Sequence, residues 1–360
     1  MKIIDARNVH EALPKGVSMV IQSGYDRESR AGNVKVIDGP VTTVYRNPTE
    51  RVMFHPDRDC NPFFHFMEGL WMIAGRNDVQ WISQFSSNLG QFSDDGETFH
   101  GAYGYRWVNH FSKEQVTNLN MKDFPHASES YYVPFNQLEC VAGMLRENPD
   151  ERRAVVSMWS AEDDLGRVGK DVPCNTTIMF SISVIGELDM TVTNRSNDMV
   201  WGAYGANAVH FSMLQEFMAS WIGVPVGRYW QVSNNFHSYI KTLEPVRELA
   251  LIAERKPLPF DNPYEKIKGQ EAVAPFPMVN SSIDHWLKEL QLFMEAGPVM
   301  GIEDRFFRKV AAPIWDTWFA WKGVDGESKR VRIQNALNRA SGIAATDWRK
   351  ACVEWLERRA

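Results

Sequence analysis

The sequence predicts an α+β fold, on three observations. Short runs rich in β-branched residues recur through the first two thirds of the chain. Two of them, 176–185 and 187–194, alternate in character around a tight Gly186-Glu187 turn, as antiparallel neighbours do. Longer stretches with apolar residues every three or four positions are interspersed with these runs and fill the last third. In chain order, residues 34–46 (VKVIDGPVTTVYR) are broken by Asp-Gly-Pro and predict a hairpin or two short strands. Residues 62–74 (PFFHFMEGLWMIA) open with proline and stop before Gly75, which predicts a buried helix carrying one carboxylate, Glu68. Residues 86–106 are Ser-, Gly- and Asp-rich with aromatic punctuation, the composition of a functional loop. A helix is expected at 134–148 and a strand at 153–159, before the antiparallel pair. After the pair come a helix at 206–222 closed by Gly223, a strand at 228–233, and helical patterns at 239–255, 282–296 and 328–358. The Pro-, Asn- and Lys-rich stretch 256–280 marks a boundary, with a main domain at 1–270 and a helical extension at 271–360 packed on it.

Composition narrows the function. The chain has 360 residues, 44% of them hydrophobic, which fits a globular protein with a substantial core. Its 39 basic and 45 acidic side chains give a net charge of −6, against the basic surplus of a duplex-DNA binder. Cys60, Cys140, Cys174 and Cys352 include no CxxC pair, and no His pair has metal-ligand spacing, so a disulfide scaffold and a structural zinc are not expected. The first residues lack the apolar core of a signal peptide, and no run approaches the roughly 18 apolar residues of a membrane span. The expectation is a cytoplasmic protein with free thiols, no metal and no membrane contact.

Cys174 stands in Val-Pro-Cys-Asn-Thr-Thr, between a polar loop and a strand. By itself it reads either as a buried structural cysteine or as a nucleophile at the end of a sheet. The predicted hairpin brings Arg195-Ser196 toward it, and a guanidinium fork beside a hydroxyl suits a phosphate. Arg152-Arg153 precede a strand, and His237-Ser238-Tyr239 places two hydrogen-bonding side chains two residues apart.

In this order, these pieces resemble the thymidylate synthase family, which includes phage pyrimidine hydroxymethylases. The matching segments are Glu68-Gly-Leu-Trp71, Gly-Ala-Tyr103-Gly-Tyr-Arg-Trp107, Pro149-Asp-Glu-Arg152-Arg153, Pro173-Cys174, Arg195-Ser196-Asn197-Asp198, Gly202 and His237-Ser-Tyr239, within roughly residues 25–245. The resemblance implies a large mixed sheet forming the face of a homodimer, with helices on its other side. It implies that the Cys174 thiolate adds to C6 of a pyrimidine nucleoside monophosphate, turning C5 into an enolate-like carbon that takes a one-carbon unit from 5,10-methylenetetrahydrofolate. Glu68 would order water and relay protons around the base, and Tyr103 would aid proton removal at C5. Arg195, Ser196 and a mobile Arg30 would hold the 5′-phosphate, with Arg152 and Arg153 lent across the dimer. His237 and Tyr239 would bind the sugar 3′-hydroxyl. Asp198 would contact the pterin, with Gly202 and Leu89 on the folate side.

Departures from the family pattern set the expected product. Counted back from Tyr103, the loop position where synthases keep a tryptophan is Leu89, and a second loop tryptophan becomes Phe92. That indole screens the exocyclic methylene at C5 and favours hydride transfer, so leucine favours water capture and a hydroxymethyl product. The alternatives are a thymidylate synthase and a non-catalytic nucleotide- or RNA-binding relative. Synthases close the site with a short apolar tail, whereas this sequence runs through Trp-rich helical segments to Glu357-Arg-Arg-Ala360, so a different closing element is expected. The base-reading asparagine is Asn207 if one residue is inserted, and the position is Ala206 otherwise. Asn175 stands where histidine is commoner. These features leave dUMP, dCMP and a ribonucleotide open as substrates.

Overall fold

The computed structural model describes residues 1–29, 32–118, 128–254, 262–266, 269 and 271–360. Twelve strands lie among them: β1 (Lys2–Ala6), β2 (Gly24–Ser29), β3 (Gly32–Ile37), β4 (Val41–Tyr45), β5 (Ser112–Asn118), β6 (Ser128–Pro134), β7 (Val155–Ser157), β8 (Asn175–Ile182), β9 (Leu188–Asn194), β10 (Asn197–Asp198), β11 (Val226–Ser233) and β12 (Phe236–Tyr239). They form a six-stranded sheet ordered β1-β4-β11-β9-β8-β7, a four-stranded sheet ordered β10-β12-β3-β2, and the β5-β6 pair. The large sheet is mixed: β1 runs parallel to β4 and β11 to β9, while the other joins are antiparallel. Strict alternation makes one face of β9 apolar, burying Leu188, Met190 and Val192. The opposite face is half-exposed, with Thr191, Thr193, Trp230 and Val232 partly open and Met179 38% exposed.

Helices cover the apolar face. Asn207–Ile222 lies on the sheet, where Gln215 Nε2 donates to the backbone carbonyls of Leu188 at 2.8 Å and Arg228 at 3.0 Å. Gly223 ends that helix in the left-handed conformation at φ 90°, which suits a residue without Cβ. Pro62–Ile73 packs next to it, capped by the Asn61 side chain with Pro62 at its first position. The C-terminal helices Ile283–Ala296, Ala312–Lys322, Lys329–Ala340 and Thr346–Glu357 gather on the far side of Pro62–Ile73. There Phe63 meets Trp318 at 5.4 Å and Trp355 at 5.5 Å, and Phe66 meets Trp348 at 5.1 Å.

Several expectations change in detail. Residues 34–46 form two strands in different sheets rather than a hairpin, because Asp38-Gly39-Pro40 redirects the chain and β3 pairs back with β2. The 239–255 pattern is a broken run of short helical pieces beginning after β12. The 328–358 pattern is two helices separated at Ser341–Ala345. Helix Val9–Ser23 runs through Pro14. Pro14 has no N–H for the carbonyl of His10, and His55 Nε2 sits 3.0 Å from that oxygen instead.

Candidate active site

The site gathers where the central strands of the large sheet end. Asn175 opens β8 opposite Asn194 at the close of β9, so Cys174 and Arg195 become neighbours. Arg195 N–H donates to Cys174 O at 2.9 Å. The Arg195 side chain turns back on the same loop: Nε donates to Pro173 O at 2.9 Å and Nη2 to Val172 O at 3.0 Å, and Nη2 stands 3.9 Å from Cys174 Sγ. Trp159 stacks below the guanidinium at 5.6 Å. Burial pushes the Cys174 thiol up, Arg195 opposes that shift, and Asp171 adds to it.

A cavity of about 230 Å³ is lined among others by Glu68, Leu89, Tyr103, Asp171, Asn207 and His210; Cys174 and Arg195 do not line it, and Cys174 meets it through the Tyr103 oxygen at its backbone. Trp71, Phe92 and Phe99 complete its apolar walls. Glu68 sits on the cavity side of Pro62–Ile73, with Oε2 2.8 Å from His210 Nε2. The approach is close but off-line for a hydrogen bond, and both of those atoms and His210 Nδ1 lack hydrogen-bond partners among the described residues. Tyr103 starts the helix that closes the 86–106 loop, and its oxygen lies by the backbone of Cys174 and Asn175. Burial, reinforced by the Cys174 thiol, keeps that phenol protonated.

Immediately before Asn207 the chain makes a π-type turn, Met199–Ala206, kinked at Tyr204 and Gly205. A π turn accommodates one residue more than an α turn over the same rise. Both Ala206 and Asn207 consequently line the cavity. Asn207 Nδ2 donates to Asn197 Oδ1 at 3.2 Å, while Asn197 Nδ2 donates to Gln231 Oε1 and Ser233 Oγ, each at 3.0 Å. A Cβ at Gly202 would come within 2.6 Å of Asn197 Oδ1, so glycine there keeps this network open. Asn175 is fully buried, with both amide atoms unpartnered among the described residues.

A second cavity of about 320 Å³ lies along the small sheet, lined by Arg27, Ser29, Ser196, Asn235, His237 and Tyr239 among others. His237 Nδ1 is fixed 2.9 Å from Asn235 Oδ1, and its ring meets Tyr239 edge-on at 5.5 Å. The fold thus separates the expected base-side residues from the expected phosphate- and sugar-side residues, with Cys174 and Arg195 on the loop ends near the first set. Asp198 lines neither cavity. Its carboxylate accepts from Trp201 N at 2.6 Å and Tyr239 N at 3.3 Å, capping the π turn. Burial raises its pKa. Arg152 and Arg153 are exposed just before β7, with Arg153 Nη2 2.7 Å from Glu151 Oε2, and neither lines these cavities. Arg30 lies outside the described residues.

A model of the family described as thymidylate synthase matches residues 15–280. The chain belongs to the thymidylate synthase family. Among its relatives, a deoxyuridylate hydroxymethyltransferase of Pseudomonas phage M6 is 45% identical over 359 residues, covering 100% of this chain and 95% of the relative. One of Bacillus phage SP01 with the same name is 38% identical over 225 residues, 62% of this chain and 55% of that protein. A thymidylate synthase of Streptococcus thermophilus is 38% identical over 178 residues, 48% of this chain and 59% of the synthase. Membership in this family agrees with the α+β architecture, and relatives with both names are one-carbon transferases. The M6 relative therefore matches through residues 281–360, beyond the reach of the family model.

Two polar cavity residues escaped the sequence reading. Asp171 stands three residues before Cys174, and His210 three residues after Asn207. The second spacing is legible in retrospect, since positions i and i+3 share a helix face. Among the described residues no cluster suited to a metal occurs, and no helix is long and apolar enough to cross a membrane. The four cysteines are unpaired.

Proposed function

We propose that the protein is a folate-dependent deoxyuridylate 5-hydroxymethyltransferase. The observation that carries this reading is Leu89 in the cavity wall, where the family's synthases hold an indole, in a chain alike from end to end to a phage deoxyuridylate hydroxymethyltransferase. Methylenetetrahydrofolate supplies a carbon at the formaldehyde oxidation level, and the apolar walls at Trp71, Leu89 and Phe92 fit its flat pteridine. This chain's residues do the rest. Cys174 adds to C6 of the base, aided by Arg195, which counters the burial of the thiolate. Glu68 holds water and moves protons beside the base, and Tyr103, at the Cys174 backbone, stays protonated to donate or relay at C5.

The asparagine network favours uracil. Asn197 spends both N–H bonds on Gln231 and Ser233, so it meets Asn207 with its oxygen and takes an Asn207 N–H. Asn207 is left with Oδ1 as an acceptor and one N–H as a donor, an adjacent pair that matches the N3–H and O4 of uracil and is reversed against the bare N3 and the amino group of cytosine. Ser196, His237 and Tyr239 in the second cavity are assigned to the phosphate and sugar, Asp198 and Gly202 to supporting the folate side, and Arg152 and Arg153 to a partner subunit's site in a homodimer.

The test is mass spectrometry of products from dUMP, dCMP, UMP and CMP with methylenetetrahydrofolate, while dihydrofolate is followed by absorbance. The expected result is 5-hydroxymethyl-dUMP with no dihydrofolate. Methylated product with stoichiometric dihydrofolate would make the protein a synthase, and absence of any product would remove the enzymatic reading.

A further inference from the structure

Water capture at the methylene needs a base besides the proton relay assigned to Glu68. Tyr103 is held protonated, and Glu68 has one oxygen buried against His210. Asp171 is the remaining carboxylate in the cavity wall. Its Oδ2 accepts the Gly101 N–H at 2.7 Å, which fixes the side chain, and Oδ1 makes no hydrogen bond to the described residues. Gly101 packs so tightly here that a Cβ would lie 2.9 Å from Asp171 Oδ1 and 3.0 Å from Pro173 N. The loop bearing Tyr103 is thereby clamped to the segment bearing Cys174.

From this placement, and resting on the hydroxymethyltransferase reading, we infer that Asp171 is the general base for the water that captures the methylene at C5. The water oxygen bonds to the exocyclic carbon, and one water proton passes to Asp171 Oδ1. The π pair of the exocyclic double bond moves into the ring as the C4–C5 enolate. Collapse of the enolate forms C5=C6 and breaks the C6–S bond, returning the electron pair to Cys174.

Electrostatics gives this carboxylate a time to act. In the free enzyme Asp171 works against the thiolate. Burial raises the Asp171 carboxyl pKa, and Asp94 adds to that, while Gly101 N–H, His100 and Arg106 oppose it. Cys174 and Tyr103 are the other ionisable groups coupled to it. Once Sγ is bonded to C6 it is a neutral thioether, so the charge that Asp171 opposes is gone at the stage when water must lose its proton.

Asp171→Asn keeps an acceptor for Gly101 N–H and removes the base. Release of tritium from [5-³H]dUMP reports the steps up to the methylene, and mass spectrometry reports hydroxymethyl-dUMP. General bases contribute roughly 10²–10⁴-fold. The expected result is hydroxymethyl product falling at least tenfold more than tritium release, with added 2-mercaptoethanol diverting the methylene into a thioether. In the ligand-free protein, alkylation of Cys174 by iodoacetamide, followed on its own peptide, should become faster. Product and tritium release changing together would overturn the inference, as would slower alkylation of a folded variant. If Asn does not fold, Asp171→Ser takes the same measurements. A wild-type protein that releases no tritium refutes the hydroxymethyltransferase reading itself, a distinct outcome.

Discussion

Cys174, Arg195 and Leu89 carry the residue-scale expectations. The thiol starts from a pKa raised by burial, and Arg195 is the named charge that lowers it. Arg195→Leu should therefore slow iodoacetamide alkylation of Cys174 at neutral pH and shift its pH midpoint upward. If Arg195 holds the 5′-phosphate, the same variant should also raise the KM for dUMP by tenfold or more, through loss of a hydrogen-bond donor to the phosphate. Cys174→Ala should abolish hydroxymethyl product, and turnover by that variant would refute covalent addition. Leu89→Trp restores an indole to the cavity wall. Part of the product should then become thymidylate, with matching dihydrofolate read by absorbance.

At the scale of elements, the Glu68 helix is gripped from both sides, by Asn207–Ile222 within the fold and by tryptophans of the C-terminal helices outside it. Trp355 contacts Phe63, Trp318 and Trp321 and is almost wholly buried. Trp355→Ala should cost about 3–5 kcal/mol in denaturant unfolding and lower activity along with it. Asp347 ties the last helix to Tyr264, whose hydroxyl donates to Oδ2 at 3.0 Å. Burial pushes its carboxyl up to about 7. A carboxyl whose folded pKa exceeds the unfolded value binds protons more tightly in the native state, so it stabilises most at low pH and loses that contribution as pH rises toward 7. The loss is on the order of 4 kcal/mol at most, from about 1.4 kcal/mol per pKa unit. Asp347→Asn should flatten this fall in stability between about pH 4 and 7. An unchanged pH profile of unfolding would place the ionisation elsewhere.

For the whole molecule, the large sheet presents a half-exposed face with Met179, Trp230 and Val232 on it, and Arg152 and Arg153 lie exposed before its edge strand. An assembly that covers this face would let the arginines reach a second copy's phosphate site. Mixing Cys174→Ala with Arg153→Ala subunits should then regenerate one intact site per hybrid dimer, or about a quarter of wild-type activity after random exchange. Confirmed exchange without recovery would refute sharing.

What the sequence determined is the material governed by local rules and by motif order. Pro62 at a helix start, Gly223 at a helix end and the alternation of 176–194 each specify local geometry. The ordered motifs specify the family, because the spacing from Cys174 to Arg195-Ser196 is the arithmetic of one hairpin. The tertiary structure alone decided the placements that depend on distant partners. Ala206 and Asn207 both line the cavity because of the kinked turn before them and the Asn207–Asn197 hydrogen bond, and helix Val9–Ser23 runs through Pro14 with His55 Nε2 3.0 Å from the His10 carbonyl oxygen. Asp171 and His210 entered the cavity through packing between segments far apart in the chain. Periodicity records which way a side chain faces along its own element, whereas the groups across from it are fixed only when buried polar atoms find partners in three dimensions.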